Sequence, residues 1–180
     1  MKILPFFKMG IRDLIDRIEK VKDNIDSLDS VISDVVRGHS DVILSLNKDQ
    51  MLLGRDADGK VLTPSYWDDP YFESRAKANR YAGMKYKLES KHRSRIEHPT
   101  LYPDKDKDTP NLIVTGLFQD GMFIQVDDNS HTIGSSYIES DAIESKYRGV
   151  VFGLSPESRE YFYKNYLFKR LQTLLMSGIK

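Results

Sequence analysis

The sequence predicts an α+β fold: a long N-terminal helix, a small twisted antiparallel sheet, and a C-terminal helix packed on that sheet. Three observations carry this reading. Apolar residues recur at steps of three and four from Ile11 to Leu46, the period of an amphipathic helix. Two short runs, Met122–Val126 and His131–Ser136, flank the turn-forming cluster Asp127-Asp128-Asn129-Ser130, as in a β-hairpin. Ser155-Pro156-Glu157 then opens a second helical pattern, with Ser as N-cap, Pro in the first position and an acid in the first turn. The 180 residues divide into a long amphipathic helix (1–48), an insert of hairpin, basic helix and extended loop (49–110), and a β-hairpin and helix core (111–180).

Composition narrows the function. The 27 Lys and Arg balance 27 Asp and Glu, which argues against a dedicated nucleic-acid binder while leaving room for a local basic patch. The absence of Cys excludes a disulfide scaffold, a thiolate zinc site and a Cys nucleophile. No apolar run approaches the roughly 18 residues of a membrane span. Met1 to Phe7 is too short for a signal peptide and lacks a small-residue cleavage site. The expectation is a soluble protein made inside the cell, with no membrane contact.

The helical pattern runs through Ile11, Leu14, Ile18, Val21, Ile25, Leu28, Ile32, Val35, Val42 and Leu46, with His39 in the slot before Val42. This is a seam of about five heptads, widened by Ile15, Val31, Val36 and Ile43. An unbroken helix from Lys8 to Asn47 would span roughly 60 Å, more than one small domain covers. Either part of the stripe faces another chain or the helix breaks and folds back, with Gly38 as the expected break. His39 reads as a satisfied helix-end histidine, with a registry-setting or pH-sensitive contact as the sharper alternative. The outer face, with Asp16 and Asp23 among its acids, is net acidic. It suits solvent or a basic partner.

Gly54 to Lys60 fits the first seven positions of a P-loop, but Val61 stands where Mg²⁺ coordination needs Ser or Thr, and Pro64 follows. An EF-hand fails because Gly54 and Ser65 would hold its first and last ligand positions. Asp58-Gly59 instead predicts a tight turn between short strands at Met51–Leu53 and Lys60–Leu62. Pro64, Tyr66, Trp67, Pro70, Tyr71 and Phe72 form an aromatic connector, suited to a core plug or a contact surface.

From Arg75 to Arg95 eight cations face Glu89 alone, and a helix is expected over about 73–91. Lys85, Lys87, Lys91, Arg93 and Arg95 are candidate contacts. They would serve either DNA phosphates or the acidic helix of a neighbouring copy. Residues 91–110, with His98-Pro99, Tyr102-Pro103 and alternating Asp and Lys, read as an extended loop. His92 and His98 have no carboxylate at a metal-ligand spacing on one face, so no metal is expected.

In the last third, Leu112-Ile113-Val114-Thr115-Gly116-Leu117-Phe118 leads into the hairpin. A short helix follows over 138–147. Val150–Leu154 is a buried strand or a tight apolar turn, and the closing helix runs to about Met176. This order, with Leu112, Thr115, Gly116 and Phe118, then Tyr147, Gly149, Phe152, Gly153 and Leu154, resembles the tail-completion or virion morphogenesis proteins of tailed bacteriophages. The likeness is clearest over about 70 residues, and Leu154-Ser155-Pro156 stands where that family usually has Arg-Pro-Phe.

The resemblance implies a structural virion protein at the head–tail junction. It would be a neck or tail-completion component forming a homo-oligomeric ring, touching portal, connector or tail proteins, with room for DNA to pass through. Thr115 and Gly116 are expected to turn the chain, with Gly allowing positive φ. Phe118, Phe152, Gly153 and Leu154 are expected to anchor the last helix on the sheet. Trp67 joins Asp16, Asp23 and the cations as an assembly contact. No nucleophile elbow, paired carboxylates or metal motif appears. Glu139, Asp141 and Glu144 read as solvated, so a non-enzyme without cofactor is expected. The alternative is a DNA-binding accessory protein using residues 75–95.

Overall fold

A computed structural model describes residues 11–127, 130–148 and 150–177. It is a mixed helical and sheet fold, as the sequence predicts. In chain order the elements are α1 (Ile11–Asp26), α2 (Leu28–Gly38), α3 (Ser40–Leu52), α4 (Arg75–His92), the four-residue α5 (Leu117–Asp120), β1 (Met122–Val126), β2 (His131–Ser135), α6 (Ser140–Lys146), α7 (Pro156–Phe162) and α8 (Phe168–Ser177). The strands pair antiparallel with Met122 opposite Ser135, Ile124 opposite Ile133 and Val126 opposite His131.

The long helical pattern becomes three helices. At Ser27 the bend is mild: backbone bonds continue from Ser27 N to Asp23 O and from Val31 N to Ser27 O, both 3.1 Å. The Ser27 hydroxyl also donates back to Asn24 O at 2.9 Å, a contact that bends helices. At His39 the break is real, with φ −128 and ψ 32, one residue past the predicted Gly38. The His39 ring packs on Tyr166 at 4.7 Å, the satisfied helix-end position that the sequence favours.

α3 departs from the expected seam. It runs through residue 48 to Leu52 and buries Ile43, Leu46, Asn47, Asp49, Gln50, Met51 and Leu52. A helix enclosed on nearly all sides needs no periodic stripe. It joins the two halves of the core. Met51 packs with Leu62, Phe118, Met122, Tyr147 and Val151, while Ile43 and Leu46 pack with Val36 and Phe162. The strand expected at Met51–Leu53 is therefore the end of this helix and the residue after it. Of the expected hairpin only the Arg55–Val61 bridge forms. Its Asp58-Gly59 turn is present, with Gly59 at φ 78.

That turn also explains the false phosphate loop. The Asp56 carboxylate accepts from Asp58 N at 2.9 Å and Lys60 N at 2.8 Å, and Gly59 N donates to Asp56 O at 3.0 Å. These amides are spent inside the turn. A Cβ on Gly54 would meet Thr109 Cγ2 at 2.4 Å, so chain occupies the space a phosphate would need.

The extended loop is not slack. Tyr102 is buried, and its hydroxyl meets Ser155 Oγ at 2.6 Å and Ser158 Oγ at 2.5 Å. Ser155 caps α7 as predicted, accepting from Ser158 N at 3.2 Å. The closing helix is widened by one π turn at Tyr163–Leu167, which separates α7, whose Phe162 packs near Ile124, Val126 and Ile133, from α8. Val150–Leu154 resolves as a turn rather than a strand.

Candidate functional site

Three features outside the plain core concentrate chemistry: a helical arm, a basic helix face and an aromatic cleft.

The arm is made of α1 and α8, which pack together and are tied by Asn24 Nδ2 donating to Leu174 O at 2.9 Å. Among the described side chains neither helix has a buried one. Ile15, Ile18 and Ile25 lie on one face of α1 and are 48 %, 60 % and 52 % exposed. On α8, Phe168, Leu175 and Met176 are exposed in the same way. Asp16 and Asp23 are exposed on α1, but Lys20 and Lys22 stand among them. Two amphipathic helices with no third layer leave their apolar stripes half wet.

The basic face of α4 is smaller than its sequence implies. Ala78, Ala82 and Lys85 form its buried stripe. Lys85 is only 3 % exposed, and its ammonium donates to the Ile113 carbonyl. It is not a surface contact, which corrects the expectation. A lysine three residues past Ala82 falls on the stripe that the two alanines mark. Arg95 Nη1 pairs with Asp120 at 3.2 Å, Lys77 pairs with Glu73, and Arg75 lies over the Trp67 ring at 4.5 Å. Lys87 and Lys91 are exposed. The Arg93 side chain lies outside the described residues. Trp67 is half-exposed at the surface, remote in sequence from the acids it was grouped with.

The motif residues behave as fold residues. Gly116 takes φ 92 and opens α5, and Thr115 Oγ1 accepts from Leu117 N at 3.3 Å. Phe118 stacks on Phe152 with ring centroids 5.6 Å apart. Leu154 packs in the cluster that holds Phe162 of α7 and Ile124 of the sheet. The Gly153 carbonyl accepts from Asn47 Nδ2 at 3.0 Å and Gln50 Nε2 at 2.6 Å.

Sequence reading missed the buried polar set on α3. Asn47 also donates to Val151 O at 3.1 Å, and Ser155 N donates to Gln50 Oε1 at 2.9 Å. Asp49 accepts from the His98 backbone at 2.8 Å and pairs with His98 Nδ1 at 2.9 Å. Desolvation raises the Asp49 carboxyl above its usual range, and its hydrogen bonds from His98 oppose that rise. The available signal was four polar residues between Leu46 and Met51 with no compensating stripe.

The cleft has a volume of about 390 Å³ and is lined by the 66–72 connector, α4, the 112–119 segment and α6. Aromatic rings, among them Tyr81, Phe118, Tyr137 and Tyr147, make its walls, with Lys85 and Gln119 among them. Burial raises the Tyr66 and Tyr147 hydroxyls, which keeps them neutral, and lowers Lys85 to about 8.

Comparison with protein-family models, with curated proteins and with solved structures returns no match for this chain. Among the described residues no group of His, Asp and Glu is arranged to hold a metal ion, and no helix is long and apolar enough to cross a membrane.

Proposed function

We propose that this chain is a structural protein of the phage head–tail junction, a neck or tail-completion ring component that acts by oligomeric assembly and not by catalysis. The observation that carries the assembly reading is the arm: α1 and α8 expose apolar stripes with no buried side chain between them among those described. Covering the wet half of Ile15, Ile18 and Ile25 is worth roughly 1 kcal/mol apiece. An exposed ion pair gives at most about that and commonly less. The apolar row therefore leads, and the charged residues on α1 and α4 orient the copies. The occupant is a second copy of this chain; the arm as a whole carries no acidic excess, so exposed Lys87 and Lys91 serve single pairings with acids such as Asp16 or Asp23 rather than a general charge attraction. A head-to-tail contact of this kind closes into a ring where its rotation closes, and the ring is part of the proposal. The location at the head–tail junction rests on the resemblance of the Thr115-Gly116 and Phe152-Gly153 segments.

Quantitative mass spectrometry of purified particles tests the location. A low, fixed copy number consistent with one or two rings is expected; absence from particles contradicts it. The DNA-binding reading is weaker, because Lys85 is buried and Arg75, Lys77 and Arg95 are engaged within the chain.

A further inference from the structure

The cleft between α4, the 66–72 connector and α6 has no part in the assembly reading. Its chemistry is nonetheless specific. Its volume of about 390 Å³ falls in the range of small-molecule sites, roughly 300–1,000 Å³. Tyr81, Phe118, Tyr137 and Tyr147 offer flat apolar surface, which suits a ring.

Two polar groups on its wall are incompletely matched. The Lys85 ammonium is buried and donates to a carbonyl, that of Ile113. The nearby Glu89 is committed to Lys105 Nζ at 2.7 Å and to Asn111 Nδ2 at 3.1 Å, and Asp69 is paired with Lys146. Glu139, the other carboxylate on the wall, is exposed to solvent, where its field is screened. A buried cation whose nearest carboxylate, Glu89, is shared with two other donors is only partly compensated. The second group is Gln119. Its Nε2 donates to Leu112 O at 2.9 Å, while its Oε1 is buried without a partner. Leu112, which supplies that carbonyl, sits at φ 47, a conformation that a non-glycine residue holds only under constraint.

We propose that this cleft binds a small aromatic acid carrying a hydrogen-bond donor, its carboxylate meeting Lys85 and its donor meeting Gln119 after the Gln119 amide turns its buried oxygen into the cleft. The ring lies among the tyrosines and Phe118. A charge-assisted hydrogen bond from a buried ammonium is worth about tenfold in affinity. The proposal is independent of ring assembly, and either can fail alone.

The test is an NMR-detected titration of the full chain at pH 7 with 4-hydroxyphenylacetate, 4-hydroxyphenylacetamide and phenylacetate. Saturable shifts at Tyr81, Phe118 and Tyr147 are expected with the first. The amide should bind about tenfold more weakly, and phenylacetate should also bind more weakly. Lys85→Met should remove the preference for acid over amide, and Gln119→Leu the preference for the hydroxyl. Should Lys85→Met fail to fold, the comparison of acid and amide on the unaltered chain still decides. Equal binding of the two, shifts confined to α1 and α8, or no saturation by about 10 mM would overturn the proposal.

Discussion

Lys85 carries a charge that the fold keeps from water, and its behaviour with pH follows from that. Burial lowers its ammonium from 10.5 to about 8, with Lys105 nearby adding to the effect. Between those values the unfolded chain binds the proton and the folded chain does not. Stability therefore rises with pH across that window, by at most about 1.4 kcal/mol per pH unit. Above pH 10 the buried Tyr66 and Tyr147, whose hydroxyls are raised, act in the opposite direction. Urea midpoints followed from pH about 7 to about 10 should show the rise in the unaltered chain and lose it in Lys85→Met. Charge reversal separates buried from exposed cations. Lys85→Glu should cost about 3 kcal/mol or more, whereas Lys87→Glu should stay within about 0.5 kcal/mol. Equal effects would contradict the burial of Lys85.

At the scale of elements, α3 is held by polar bonds as much as by apolar packing. Asn47 and Gln50 between them bond Val151 O, Gly153 O, Gly153 N and Ser155 N. Replacing either by Leu adds apolar volume yet leaves buried backbone groups unpaired. Asn47→Leu and Gln50→Leu should each lower the unfolding free energy by about 2–4 kcal/mol, while Lys48→Leu should change it little. Ser155→Ala removes both a cap and a partner of Tyr102 and should cost about 1–2 kcal/mol, read from the same urea curves. These elements also show what the sequence made legible. The capped α7, the β1–β2 hairpin, the Asp58-Gly59 turn and the break near Gly38 each carry a local signal: a cap, a turn cluster, a weak helix former. The first turns of α3 belong to the periodic pattern that ends at Leu46, but its buried second half and the cleft carry almost none. Asn47, Asp49, Gln50, Lys85 and Gln119 look like surface residues until their partners arrive, and those partners lie 7 to 106 positions away in the chain. The Ala78 and Ala82 spacing was the only local pointer to Lys85.

At the scale of the whole molecule, the core is complete around α3 and the arm is not. The two clusters that enclose Met51, Leu46 and Phe162 leave α1 and α8 to each other, with apolar stripes on the outside. In the proposed assembly a second copy covers those stripes. The most direct measurement is sedimentation velocity over a concentration series, on the unaltered chain and on the double variant Ile18→Glu, Ile25→Glu. Concentration-dependent assembly of the unaltered chain is expected. The variant should sediment as a monomer with an unchanged far-ultraviolet circular dichroism spectrum, since both side chains are more than half exposed. A monomeric unaltered chain at every concentration, or a variant that assembles like its parent, would contradict the proposed assembly.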